Sequence, residues 1–100
     1  MNKVAIIAAG ITDCRSRWVE ATYWDLFQQA TRRTLEDAKM TADEVDSVVY
    51  GIYNDIFEHQ AIPESALAGT IGMAMRPGTR VSSGGATGFY AMRTAIMEVA

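Results

Sequence analysis

Arg80-Val81-Ser82-Ser83-Gly84-Gly85-Ala86-Thr87-Gly88-Phe89-Tyr90-Ala91-Met92 takes the chain from a β-rich stretch, through a tight glycine-rich turn, into an apolar helix. A turn of this kind brings backbone N–H groups and the positive end of a helix to one point. Nucleophile elbows and anion sites both use that device. A phosphate-loop reading fails because its lysine and following Ser/Thr are missing, and the glycines do not match the dinucleotide fingerprint. Glycines chosen only for tight packing are the plainer alternative.

Upstream of the turn, the pattern alternates. Val4-Ala5-Ile6-Ile7-Ala8-Ala9, ended by Gly10, reads as a first strand covered on both faces, with residues 10–17 as the loop leaving it. Residues 22–39 place Tyr23, Leu26, Phe27, Ala30, Thr34, Leu35 and Ala38 at helical spacing and set Arg32, Arg33, Glu36 and Asp37 mainly outside. Thr41 and Glu44 have capping-box spacing, which predicts a further helical turn over residues 42–45. Residues 48–53 (Val-Val-Tyr-Gly-Ile-Tyr) read as a second strand, and residues 54–62 as a loop carrying the only histidine, His59.

Pro63 is placed as the first residue of a helix running to Met75, with Glu64 favourable in its first turn. Gly69 and Gly72 weaken that helix by about 1 kcal/mol each relative to alanine, so a packing reason for them is expected. Residues 79–83 form a third strand, and residues 89–100 a helix that reaches Ala100 without a stop signal, as a cut would leave it. The resulting order, βαβαβα, predicts α/β layers with a mainly parallel sheet. Residues 1–100 are therefore expected to be the N-terminal piece of a longer protein.

Composition narrows the class. Of the 100 residues, 49% are hydrophobic and 21% charged, which excludes intrinsic disorder and a plain coiled coil. Nine Lys and Arg against twelve Asp and Glu give a net charge of −3, so there is no electrostatic footprint for nucleic acid or an anionic membrane. The longest apolar stretch near the start is too short to span a bilayer, and no cleavable signal pattern precedes it. With Cys14 the single cysteine, an internal disulfide and a multi-cysteine zinc site are excluded, and a reducing, cytoplasmic setting is expected.

Three stretches together resemble the N-terminal part of the thiolase superfamily, within it the sterol-carrier-type thiolases and lipid-transfer-protein-like acyl-CoA enzymes. Val4-Ala5-Ile6-Ile7-Ala8-Ala9-Gly10-Ile11-Thr12-Asp13 is similar to that branch's first strand and loop. Asp43-Glu44-Val45-Asp46-Ser47-Val48-Val49-Tyr50-Gly51 is similar to its second strand and lead-in, and residues 81–92 resemble the turn that bears the nucleophile. The resemblance implies two similar βαβαβαββ halves packed as layers around buried central helices, usually in a homodimer, with this chain supplying most of the first half.

The departure from the family lies in the turn itself. Where a thiolase reads Cys-Ala-Ser-Gly or Cys-Ala-Thr-Gly, this chain has Gly85 ahead of Ala86-Thr87-Gly88, so the family's nucleophile position has no thiol. The resemblance implies coenzyme A thioesters as substrates, no separate cofactor, and either acyl transfer or a retro-aldol, lyase-type cut of a β-hydroxyacyl-CoA. Some relatives of that second type work with a small zinc-ribbon/OB-fold partner. A non-catalytic subunit that binds acyl-CoA or lipid, or scaffolds a partner, is the reading from a different class.

Ser83, Gly84 and His59 are the candidate substrate-binding residues beside Gly85. Ser82 and Ser83 have no evident base in the sequence around them, and Cys14 sits in the loop after the first predicted strand, away from the turn. Arg15 and Arg17 are candidates for coenzyme A phosphates, and Trp18, Tyr23 and Trp24 for an acyl or partner surface. Each also has a purely structural reading, as does a lone loop histidine.

Overall fold

The computed structural model of the chain describes residues 2–53 and 62–100. Helix α1 (Tyr23–Ala38) begins at Thr22, whose hydroxyl accepts the Asp25 N–H while the Asp25 carboxylate accepts the Thr22 N–H at 2.8 Å. This reciprocal cap satisfies two amides that would otherwise be orphaned at the helix start. Lys39 ends the helix in the left-handed region (φ 56°), and its N–H donates to the Glu36 carbonyl while the Met40 N–H donates to that of Leu35. The predicted box at Thr41 and Glu44 is present and starts a 3-10 turn, Ala42–Glu44.

Strands β1 (Val48–Gly51) and β2 (Gly78–Val81) pair in parallel, with Val48 opposite Gly78 and Gly51 opposite Val81. Helix α2 (Pro63–Thr70) lies in the crossover between them, and α3 (Thr87–Val99) follows β2 and packs on β1. The predicted helix over residues 63–75 ends five residues early. At Gly72 the backbone is at φ 78°, the Met73 N–H donates to the Ala68 carbonyl at 2.7 Å, and the Gly72 N–H donates to that of Gly69. That pair of bonds is the Schellman termination, which needs a residue content in the left-handed region. Gly72 is thus a stop signal, while Gly69 faces open space and shows none of the close packing expected of it.

The first predicted strand does not form. Residues 4–9 are irregular, and Ile6 and Ile7 are 73% and 71% exposed rather than covered on both faces. A strand requires a ladder partner, and the described sheet consists of β1 and β2 alone. The segment is held instead to α1: the Ala9 N–H donates to the Asp37 carboxylate at 3.1 Å, and the chain crosses the helix at Gly10. A Cβ at Gly10 would lie 2.5 Å from Thr34 Oγ1 and 2.8 Å from the Ala30 carbonyl oxygen. The described element order is therefore αβαβα. Residues 54–61, including His59, lie outside the described residues.

Among the described residues the buried core is small. Leu67 and Pro63 of α2 are fully enclosed, with Tyr50 of β1 and Met73 beside them. Helix α1 has no fully buried residue, and on α3 Phe89, Met97 and Val99 are more than half exposed. Exposed apolar surface of this extent marks a face suited to contact with other protein.

Truncating Leu67→Ala in the full-length protein is expected to cost about 2–5 kcal/mol, read from urea unfolding, because it opens a cavity at the centre of this core. Burial, and then the nearby Glu64 carboxylate, raise the Tyr50 phenol above its ordinary value of 10.0. A phenol with a raised folded-state pKa contributes stability below about pH 10 that is lost as pH rises through the folded value. Urea midpoints at pH 9 and pH 11 should therefore diverge less in Tyr50→Phe than in the native protein.

Candidate functional site

The β2–α3 turn is organised by side chains that were chosen for their reach to the backbone. Ser82 Oγ donates to the Tyr53 carbonyl at 2.6 Å, and Arg80 Nε donates to that of Ile52 at 3.3 Å. Together with the Ile52 N–H bonded to the Val81 carbonyl, these contacts continue the tie between the two strands past the end of the ladder. The Ser82 hydroxyl proton is thereby committed to structure. Arg80 also lies 4.0 Å from Glu64 at the start of α2, so one guanidinium meets both the exit of β1 and the entry to the crossover helix.

Beyond Ser82 the chain folds back on itself. The Ala86 N–H donates to the Ser83 carbonyl and the Thr87 N–H to that of Gly84, at 3.1 and 3.2 Å. Gly84 is at φ 55°, in the left-handed region that a side chain disfavours, and Gly85 is not. A Cβ built on Gly85 meets nothing within 4 Å. Position 85 is exposed, directly ahead of the helix, and sterically free to carry a side chain. Ala86 precedes α3 without a side-chain cap, so the amides of the first helical turn are not consumed by one.

Of the candidates read from the sequence, Ser82, Ser83, Gly84 and Gly85 are brought together in this turn. Arg15 is engaged elsewhere: it pairs with Glu20 and stacks over the Trp18 ring at 4.2 Å. Hydrogen bonds from the backbone, chiefly, and from Arg15 hold the exposed Glu20 carboxyl below its ordinary range. Tyr23 and Trp24 pack ring to ring at 5.6 Å in the first turn of α1, and Cys14 is exposed in the preceding loop. Sequence reading missed Arg80, whose partner is the Ile52 carbonyl of the neighbouring strand exit, and Thr87, whose partners are backbone atoms of its own turn. A threonine directly after a glycine turn was the available signal for the second.

Two known proteins are similar to this chain as a whole. The chain is 30% identical over 101 residues to an acetyl-CoA acetyltransferase of Methanothermobacter thermautotrophicus (strain Delta H), a match covering 100% of this chain and 26% of that protein. The crystal structure of the priming β-ketosynthase from the R1128 polyketide biosynthetic pathway superimposes with a TM-score of 0.65 at 28% identity, over 88% of this chain and 26% of that one. The fold is thiolase-like. Both similarities support the thiolase superfamily. This thiolase-like chain spans about a quarter of the length of either relative. No family model matches it. No helix among the described residues is long and apolar enough to cross a membrane.

The turn of this thiolase-like chain makes neighbouring glycines unequal. Gly84→Ala is expected to destabilise the full-length protein by roughly 1–2 kcal/mol, the cost of an L-residue in the left-handed region. Gly85→Ala should be neutral or gain up to about 1 kcal/mol through a stiffer unfolded chain. Paired urea titrations of the two variants measure the difference.

Proposed function

We propose that the full-length protein is a thiolase-superfamily enzyme that makes or breaks a carbon–carbon bond beside the carbonyl of an acyl-CoA thioester, without acyl transfer to a cysteine at position 85. The observation that supports this reading is a glycine-rich strand-to-helix turn with an exposed and sterically open glycine, Gly85, at its apex. The name of the archaeal relative, an acetyl-CoA acetyltransferase, supports the coenzyme A thioester as the substrate class.

Chemistry of the retro-aldol type suits such a site. Cleaving a β-hydroxyacyl-CoA requires a base for the hydroxyl proton and hydrogen-bond donors for the developing thioester enolate, but no enzyme-bound acyl group. The uncapped start of α3 supports a role for backbone donors at this position. Acyl transfer is the other reaction type of this reading, and would need a nucleophile from elsewhere in the protein. Ser83, Gly84 and His59 are the proposed substrate contacts, and residues 1–100 the proposed N-terminal part of the first half-domain, in a sterol-carrier-type, cytoplasmic homodimer. A small zinc-ribbon/OB-fold protein is the proposed partner.

A second reading is a non-catalytic subunit that binds acyl-CoA or lipid, or scaffolds a partner. It is favoured by the missing side chain at Gly85 and by the commitment of the Ser82 hydroxyl to the Tyr53 carbonyl.

Incubating the full-length protein with acetyl-CoA and with a β-hydroxyacyl-CoA, followed by intact-mass and peptide mass spectrometry, separates these readings. The lyase form predicts cleavage products from the β-hydroxyacyl-CoA and no acyl adduct on the protein. A stable acyl group on Cys14 or another cysteine would sink the proposal of a site without a thiol nucleophile. Acyl-CoA binding without any turnover would favour the subunit.

A further inference from the structure

Thr87 is a buried polar residue, at 7% exposure. A hydroxyl has one proton and two lone pairs, and in Thr87 it works in both directions on the same turn. Its Oγ1 donates to the Gly84 carbonyl at 2.6 Å and accepts the Ser83 N–H at 2.9 Å. The two bonds bracket Gly84, the residue held at φ 55°, and close the loop whose apex is Gly85. With its proton committed to a carbonyl, this hydroxyl is a poor nucleophile or proton source, so a direct chemical role is not what the geometry suits.

The other branch of the same side chain faces the sheet. A Cβ on Gly51 of β1 would stand 3.4 Å from Thr87 Cγ2, which places the Thr87 methyl group against the strand. Thr87 therefore carries two separable functions on two atoms: Oγ1 shapes the turn, and Cγ2 packs the start of α3 on β1. Serine keeps the first and loses the second, while valine, equal in shape to threonine, keeps the second and loses the first.

We infer that Thr87 is the positioning residue of this site: its hydroxyl sets the backbone of residues 83–85 so that position 85 projects ahead of the first turn of α3. The functional meaning of the inference rests on the acyl-CoA reading of the turn, whereas the geometry it describes can be measured without any acyl-CoA. Position 85 accepts a side chain sterically, so a thiol placed there reports on where the turn directs it. A cysteine at a helix start ionises below the free value of about 8.5 and reacts faster at neutral pH as a thiolate.

The experiment uses the full-length protein carrying Gly85→Cys, with iodoacetamide alkylation at the introduced thiol followed across pH by peptide-resolved mass spectrometry. The thermal midpoint is recorded in parallel. With Thr87 in place the alkylation profile is expected to be shifted to low pH relative to a free thiol. Adding Thr87→Val should move the profile up by about one pH unit, slowing alkylation about tenfold at a pH well below the thiol pKa. Adding Thr87→Ser should leave the profile where it was and lower only the thermal midpoint, since the hydroxyl is retained and the methyl lost. The inference is overturned if Thr87→Val lowers the midpoint with an unchanged profile, or if the introduced thiol titrates as a free one while Thr87 is present. Absence of acyl-CoA turnover would count against the proposed function and leave these outcomes unaffected.

Discussion

The parallel pairing of β1 with β2 is the constraint from which the rest of the described structure follows. Parallel strands cannot be joined by a tight hairpin; they need a crossover, and α2 lies within it. Such a crossover returns the chain so that both strands end at the same edge of the sheet. At that edge Arg80 and Ser82 reach across to the carbonyls of Ile52 and Tyr53, and the chain turns into α3. The position of the glycine turn is thus a consequence of strand direction before any residue in it is considered. This agrees with the general placement of ligands outside the carboxyl ends of parallel strands.

Within the turn, shape and chemistry have been separated. The bonds that define its backbone use Thr87, Ser83, Gly84 and Ala86, and none of them requires a side chain at position 85. Replacing a cysteine by glycine at such a point removes a nucleophile and leaves the main-chain donors of the turn unaltered. Backbone donors of this kind can stabilise a developing oxyanion without any side chain at position 85. The glycine at position 85 therefore leaves the backbone of the turn unchanged.

The same division governs the apolar surface. Leu67, Pro63, Tyr50 and Met73 form a tight centre, yet α1 buries no residue fully and α3 leaves Phe89, Met97 and Val99 largely open. Residues 4–9 have the composition of a central strand and lie irregular against α1. Both facts concern elements without a covering layer among the described residues. A strand or helix stripe that reads as buried is stable in that form only when its partner layers are present, and the chain spans 26% of the proteins it resembles.

Local signals were legible directly from the residues. Thr41 with Glu44 and Pro63 each mark a helix start that involves only neighbours three or fewer residues away, and the Thr22–Asp25 cap, which the sequence reading did not pick out, is of the same local kind. Gly72 was equally visible, but its meaning as a terminator depends on a sixth-to-first bond that composition alone does not reveal. The motif that suggested the family, and the glycine that departs from it, are also properties of the sequence by itself. Tertiary structure alone decided that residues 4–9 remain unpaired, that Gly85 has room for a side chain while Gly84 is conformationally restricted, and that Thr87 faces inward to hold the turn. Those outcomes depend on the backbone conformation of the turn and on which atoms surround each position in three dimensions, quantities that periodicity and propensity do not contain.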